Sequence, residues 1–428
     1  MQDAALRLKS LVEQLLGAPL PLRIRAWDGS EAGPPAAPVL VVRNRRAVRR
    51  LLWKPGELGL ARAWVAGDLG VEGDLYAALD LMSGLLWERG EDARGVGEAL
   101  RDPEVRAALR GLVKLAGPLP PAPPAEEVRR RRHLHTKRSD KRAISHHYDV
   151  GNDFYEIVLG PSMVYSCAYW EDDGSLEDAQ RDKLELIARK LDLKAGQRLL
   201  DVGCGWGSMA IHAAREHGVS VVGVTLSQEQ AAYARKRVAD EGLTDRVEIR
   251  VQDYRDVTDG PYDAISSIGM AEHVGAERYL EYAETLRRLL RPGGRLLNHQ
   301  IARPPRRDES AYSVDEFIDA YVFPDGELAP VGTTVTLLER AGFEVRDVES
   351  IREHYALTLR HWVANLEEQW TRAVRLTSPG RARVWRLYMA ASALAFEHNR
   401  IGVNQVLAVR TPEASGASGM PLRARDWN

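Results

Sequence analysis

The sequence predicts an α/β protein: a doubly wound parallel sheet with helical inserts, preceded by a smaller α+β unit. Three observations lead there. Between residues 198 and 300, short apolar runs alternate with helical segments at the spacing of strand–helix–strand units. One of those strands breaks into three closely spaced glycines and then a helix. A proline-rich stretch, Gly117 to Pro124, cannot be helical and separates this region from an N-terminal segment of different texture.

The elements follow in order. Leu8, Leu11, Val12, Leu15 and Leu16 recur at helical spacing. Pro38 to Arg43 reads as a strand, and helices are expected at Ala47–Leu52, Leu75–Trp87 and Val105–Leu115. Between them, Gly56–Leu75 carries glycines at turn-like intervals. Downstream, strands are expected at Arg198–Val202, Ser220–Thr225, Val247–Gln252, Tyr262–Ile268, Gly294–Gln300, Phe343–Ser350 and Val403–Arg410. Helices fall at Ser208–Glu216, Gln228–Glu241, Arg278–Leu290 and Thr334–Ala341, and a long helical insert, Leu357–Asn399, precedes the last strand. The expected divisions are a unit at 1–116, a linker at 117–143, the sheet-forming region at 144–410 and a tail at 411–428.

Composition narrows the function classes. A chain of 428 residues has room for two or three domains, and 44% hydrophobic content supports a sizeable core and excludes global disorder. With 59 basic and 61 acidic residues the net charge is −2, which argues against a bulk polyanion binder. No run approaches the roughly 18 apolar residues that cross a bilayer. The opening MQDAALRLKSLVEQLLG is amphipathic with mixed charge, unlike a signal peptide. Two cysteines, Cys167 and Cys204, can build neither a disulfide framework nor a four-cysteine zinc site. The expectation is a reduced, cytoplasmic protein with no metal site. His146 and His147 read as lid or packing residues.

The linker runs into Arg129–Arg132, Lys137, Arg138, Lys141 and Arg142. This is either a solvated tether or a basic strip drawn to anionic lipid headgroups, each charge contributing on the order of 1 kcal/mol near a membrane surface. No aromatic residues interleave with the charges, so nucleic acid is not an expected partner.

The glycine loop is the first chemical signal. In Leu199-Leu200-Asp201-Val202-Gly203-Cys204-Gly205-Trp206-Gly207, glycines allow positive φ and close backbone approach, and the helix beyond offers free N–H groups. That context supports a nucleotide-like cofactor. A dinucleotide site would place a carboxylate after the second strand. That strand instead ends Val224-Thr225-Leu226-Ser227, while Asp201 precedes the glycines and Gln252-Asp253 ends the third strand. The pattern fits a class I methyltransferase using S-adenosylmethionine better than a dehydrogenase.

Longer blocks carry a resemblance. They are His147-Tyr148-Asp149-Val150-Gly151-Asn152-Asp153-Phe154-Tyr155, Met163–Trp170 (MVYSCAYW), the glycine loop, Gly223–Gln230 (GVTLSQEQ), Gln252–Asp256 (QDYRD) and Gly269–Gly275 (GMAEHVG). Together they resemble the cyclopropane-fatty-acid synthase family of S-adenosylmethionine-dependent lipid methyltransferases, from about Ser145 to Arg410. The first unit is similar, more weakly, to the N-terminal domain of the phospholipid-acting members. The resemblance implies a class I methyltransferase sheet and a cofactor held by Tyr165, Ser166, Asp201, Gly203, Gly205, Gly207, Thr225, Gln230, Gln252 and Asp253. It also implies a bound bicarbonate base, with Cys167 and Ile301 (through their backbones), Glu272, His299 and Tyr355 as its holders.

The family's chemistry places an electrophilic methyl group on an unactivated cis double bond, leaving a cation on the acyl chain that then loses a proton. Loss from the new methyl closes a cyclopropane; a hydride shift first gives a methylene branch. An acyl chain needs a dry channel, and the apolar inserts Tyr321-Val322-Phe323-Pro324 and Ala390–Phe396 are expected to line it. Three features depart from the commoner family pattern: Ala271 before the Glu-His pair, the strand Leu297–Ala302 (LNHQIA), and the tail Phe396–Gln405. They are similar to the actinobacterial branch that makes 10-methylene stearoyl chains, precursors of 10-methylstearate and tuberculostearate, and both outcomes stay open; the alternative of another class is a non-catalytic lipid-binding protein with a relic methyltransferase fold. Expected partners are a phospholipid bilayer with unsaturated chains, met from the inner face of the membrane, together with a separate reductase and a second copy of the chain.

Overall fold

The computed structural model describes residues 3–87, 102–128, 150–171, 174–309, 312, 314–324, 326–423 and 425. The chain divides into two compact units. The first comprises Met1–Arg130, Asp315–Val322 and Thr377–Leu394, and the second Arg131–Val314, Phe323–Leu376 and Ala395–Asn428.

The first unit opens with helix α1 (Ala4–Leu16), strands β1 (Arg23–Arg25), β2 (Glu31–Ala32) and β3 (Val39–Val42), and helices α2 (Arg46–Trp53) and α3 (Glu57–Val65). Strand β4 (Leu69–Glu72) and helices α4 (Leu75–Trp87) and α5 (Pro103–Ala116) follow. The strands lie in the order β2-β1-β3-β4, with β1 and β3 parallel. Leu8, Leu22, Ile24, Val42, Val48, Ala63 and Leu112 form its core. Asp102 caps α5 by accepting from Glu104 N at 2.8 Å, with Pro103 in the first turn.

The glycine-spaced stretch is not all turn, because it contains α3. A Cβ on Gly59 would lie 1.9 Å from the Lys54 carbonyl, so glycine lets α3 start hard against the end of α2. The proline-rich run is fastened to α2: Trp53 Nε1 donates to Pro118 O (2.8 Å) and Arg50 Nη1 to Ala122 O (2.7 Å). The basic run from Arg129 to Arg142 lies outside the described residues, as do His146 and His147.

The second unit holds helices α6 (Asn152–Leu159) and α7 (Leu176–Leu191), then β5 (Arg198–Val202), α8 (Ser208–His217), β6 (Ser220–Thr225), α9 (Gln228–Asp240) and β7 (Val247–Val251). It continues through β8 (Tyr262–Ile268), α10 (Tyr279–Leu289) and β9 (Leu290–Ala302). After α11 (Glu316–Tyr321), which counts with the first unit, come α12 (Val331–Arg340), β10 (Glu344–Ser350), α13 (Arg352–Glu368), α14 (Trp370–Leu376), α15 (Pro379–Glu397) and β11 (Gly402–Val409). The seven strands run in the order β10-β11-β9-β8-β5-β6-β7. The central strands are apolar on both faces because helices cover both sides.

One expectation needs correction. The sheet is mixed, since β11 slots between β9 and β10 and runs antiparallel to both. Of the apolar inserts, Tyr321, Val322 and Ala390–Leu394 belong to the first unit, and Phe323, Pro324, Ala395 and Phe396 to the second. Tyr321 is held in the first unit by its hydroxyl, which donates to Glu127 Oε2 at 2.9 Å. Among the described residues no helix is long and apolar enough to cross a membrane.

Candidate active site

The turn from β5 into α8 builds the floor of a cavity of about 130 Å3 in the second unit. Gly203, Gly205 and Gly207 take φ of +77°, +54° and +83°, the left-handed region that glycine enters without strain. A Cβ on Gly205 would meet no atom within 4 Å and would project into the cavity. The predicted cofactor residues Tyr165, Ser166, Asp201, Gly203, Gly205, Thr225, Gln230, Gln252 and Asp253 all line it. Gly207 does not: it caps α8, where a Cβ would press on Ala234 at 3.2 Å, so its absence of side chain serves helix packing.

The polar groups on its walls are mostly paired. Thr225 Oγ1 donates to Gln230 Oε1 (2.9 Å), and Ser227 caps α9 by accepting from Gln230 N (3.2 Å). Asp253 is clamped by Arg255 at 2.6 Å. Asp201 accepts from Ser266 Oγ (2.8 Å) through Oδ1, while its buried Oδ2 has no protein partner. Burial raises its pKa to about 6, against the pull of Ser266 and Lys183.

Lys183 is the residue that sequence reasoning missed. It is 1% exposed, lines the cavity, and donates from Nζ to Ser166 Oγ at 2.9 Å. Burial lowers its pKa to about 8, with Cys167 and Asp201 opposing. The signal was present: a lysine sits among Ala179, Leu184, Ile187 and Ala188 on the buried stripe of α7. His273 also lines the cavity, and burial holds it neutral with a pKa of about 4.

Two of the five predicted base-site residues, Glu272 and Ile301, are brought into direct contact. Ile301 N donates to Glu272 Oε1 at 2.8 Å, so that amide fixes the carboxylate. Glu272 is partly exposed as a residue, but its Oε2 is buried and has no partner among the described residues. Burial raises its pKa to about 7, only partly offset by the Ile301 bond. His299, two residues before Ile301 and on the same face of β9, is 2% exposed. Burial, with Lys183 and Lys190 nearby, keeps it neutral.

Its tautomer follows from the neighbours. Lys190 Nζ donates to Gln405 Oε1 at 2.8 Å, which turns Gln405 Nε2 toward His299 Nδ1 at 3.4 Å. Nδ1 therefore accepts, and Nε2 carries the hydrogen. That buried Nε2–H has no acceptor among the described residues.

Cys167 and Tyr355 sit on a connected wall. The Cys167 thiol lies 3.6 Å from Ile351 O, at the start of α13, and burial raises its pKa well above the ordinary thiol value, so it is no nucleophile. Tyr355, buried on α13, packs on Phe396 (ring centroids 4.7 Å) and Trp362 (6.0 Å). Trp362 meets Tyr165 (5.4 Å), Tyr165 meets Tyr155 (5.7 Å), and Tyr155 meets Trp206 (4.7 Å). A chain of ring contacts thus links Tyr165 and Trp206, which line the cofactor cavity, to Tyr355.

Cys204 packs against Gly223 behind the loop. No metal-ligand spacing was evident in the sequence, yet among the described residues Glu185 Oε2 lies 3.2 Å from His212 Nε2 and 3.0 Å from His217 Nε2. Although burial opposes it, bonds from Arg189 and His217 hold this carboxylate at about 2. The trio is satisfied internally.

The chain matches the family described as mycolic acid cyclopropane synthetase over residues 135–406. It is similar to "Probable fatty acid methyltransferase Rv3720" of Mycobacterium tuberculosis, with 46% identity over 415 residues that cover 94% of each chain. It is also similar to tuberculostearic acid methyltransferase UfaA1 of the same organism, 31% identical over 403 residues, 91% of this chain and 88% of that one. Among solved structures, mycolic acid cyclopropane synthase CmaA1 complexed with SAH and CTAB superposes with a TM-score of 0.60 at 33% identity, covering 63% of this chain and 98% of that chain.

Proposed function

Starting from the fact that this chain belongs to the mycolic acid cyclopropane synthetase family, and is an S-adenosylmethionine-dependent methyltransferase acting on fatty acyl lipids, we propose that it methylates the cis double bond of an oleoyl chain in membrane phospholipid. The product is a 10-methylene-stearoyl chain, a precursor for a separate reductase in branched-lipid synthesis. The likeness to the tuberculostearic acid methyltransferase over most of both chains supports that direction. Closure of the same cation to a cyclopropane is the competing outcome, favoured by the likeness to CmaA1.

One observation carries the reading. A buried acceptor, Glu272 Oε2, and a buried donor, His299 Nε2–H, both lack partners among the described residues, just past β8 and near the end of β9. Each such group costs roughly 1–3 kcal/mol, and their persistence points to a ligand that satisfies both. A bicarbonate, with one O–H to give and oxygens to accept, matches that donor set. Glu272, His299 and Tyr355 would hold it, Ile301 acting through the Glu272 carboxylate and Cys167 through its backbone; it would supply a base at the cation.

S-adenosylmethionine, when bound, supplies an electrophilic methyl group. The open space over Gly205 and the polar ring of Asp201, Ser166 and Gln230 suit its adenosine and amino-acid ends. An olefin needs no deprotonation before attack, so the cavity needs no base of its own. The Tyr165 and Trp206 rings line the cavity and would exclude water and stabilise positive charge there. The protein would meet its substrate at the inner face of the membrane, drawn there by Arg129–Arg132, and charge reversal at those arginines should weaken binding to anionic vesicles, most at low salt.

The test is to supply oleoyl phospholipid vesicles and S-adenosylmethionine and examine the acyl product by NMR. An exocyclic methylene supports the proposal, a ring selects the competing outcome, and unchanged oleate contradicts both.

A further inference from the structure

The first unit holds a second cavity that the methyl-transfer site does not use. It measures about 130 Å3 and shares no lining residue with the cofactor cavity. Strands β3 and β4, helices α3 and α4, and the later segments α11 and α15 all contribute. Its wall is aliphatic and aromatic: Leu60, Trp64, Met82, Phe317, Leu387 and Ala391.

Besides the half-buried Glu57, the polar groups on the wall are engaged elsewhere. Ser83 Oγ donates to Asp80 O (2.9 Å), Asp315 caps α11 through Phe317 N (2.8 Å), and Trp64 Nε1 donates to Arg383 O (2.9 Å). Water entering this space would find few partners. Cavities of roughly 150 Å3 with such linings stay dry and accept benzene, so about six carbons of an alkyl chain fit here. Larger side chains at Ala61 or Ala391 would have closed the cavity; the sequence keeps alanine at both, beside the adaptable Met82.

We propose that this cavity is an alkyl-binding site that takes the methyl-terminal end of a fatty acyl tail. The naming of an acyl tail rests on the acyl-lipid activity given above; the existence of an apolar-ligand site does not. A phospholipid and a free fatty acid both carry such a tail, and the experiment separates them.

Trp64 is the reporter, because bromine quenches indole emission on contact. The full chain is titrated with vesicles of dibromostearoyl phosphatidylglycerol and, separately, with monomeric dibromostearate. The expected result is a quenching component that disappears in Trp64→Phe and whose apparent affinity falls about tenfold in Ala391→Phe, with S-adenosylhomocysteine binding by calorimetry unchanged in both. Leu60→Phe, from another side of the cavity, serves as the block if Ala391→Phe does not fold. Quenching by vesicles assigns the site to phospholipid tails, and quenching by dibromostearate alone assigns it to free fatty acid. No Trp64-dependent quenching with either probe, or quenching indifferent to the filling variants, overturns the proposal. Methyl transfer is scored independently: quenching without methylation leaves the cavity standing and removes the activity reading, and methylation without quenching removes the cavity alone.

Discussion

The glycine turn and the Glu272–His299 cluster are both buried and polar, but they are made in opposite ways. The turn is contiguous in sequence, from Asp201 to Gly207, and most polar groups around it have partners: Thr225 with Gln230, Asp253 with Arg255, Ser166 with Lys183. The cluster joins Glu272, just past β8, to Ile301 on β9, with His299 on the same strand face, and among the described residues it leaves Glu272 Oε2 and His299 Nε2 unpaired. The first region is a shaped receptacle whose groups are already arranged. The second holds polar groups that the fold alone does not satisfy, which is where strain tolerated for function is expected.

The contrast is open to direct attack. If the unpaired carboxylate is the working part, Glu272→Gln should cut turnover by roughly 10²–10⁴-fold while calorimetry finds cofactor affinity almost unchanged; near-normal turnover would erase the distinction between the regions. Activity should also fall as pH drops through about 7, because protonating Glu272 removes the acceptor. The receptacle should fail the other way. Gly205→Val places a branched side chain at φ +54° and into the cavity, so S-adenosylmethionine affinity should drop by at least about 100-fold. Retained affinity would contradict the reading of the loop.

Lys183→Met should weaken cofactor binding by about tenfold, through loss of the Ser166 bond and of the positive charge beside Asp201. An unchanged dissociation constant would make Lys183 purely structural. The smallest effect is on stability. Burial raises the Glu272 pKa to about 7 in the folded state, above the roughly 4.3 of an unfolded chain. Its stabilising contribution is therefore full below the unfolded value and is lost as pH rises through about 7, a swing on the order of 3 kcal/mol. Glu272→Gln should melt several degrees higher than the parent at about pH 8 and no higher at about pH 4; equal melting at both would show that the carboxylate is not held in a costly environment.

The sequence and the structure part company along physical lines. The strands from Arg198 to Ile268 and the glycine turn were legible because local pattern dictates them: apolar runs of strand length, turn residues, and a serine cap at Ser227. Helix α3 was hidden because Gly59 looks like a turn signal until its packing on Lys54 is seen. The reversal of β11 leaves no trace in local propensity, since an antiparallel strand buried on both faces reads like a parallel one. Glu272, His299 and Tyr355 could be named only by resemblance, because nothing in their spacing groups them. The His299 tautomer, set by Lys190 through Gln405, and the buried Lys183 needed coordinates. Both depend on side chains that reach across elements far apart in the chain.

The measurement that tests the central claim most directly is transfer of the isotope-labelled methyl group of S-adenosylmethionine to oleoyl phospholipid vesicles, followed by analysis of the released acyl chains. The account predicts one labelled carbon per modified chain, attached at the former double bond, with the olefin consumed. Label absent from the acyl chain, or found on a headgroup or a soluble acceptor, would contradict it.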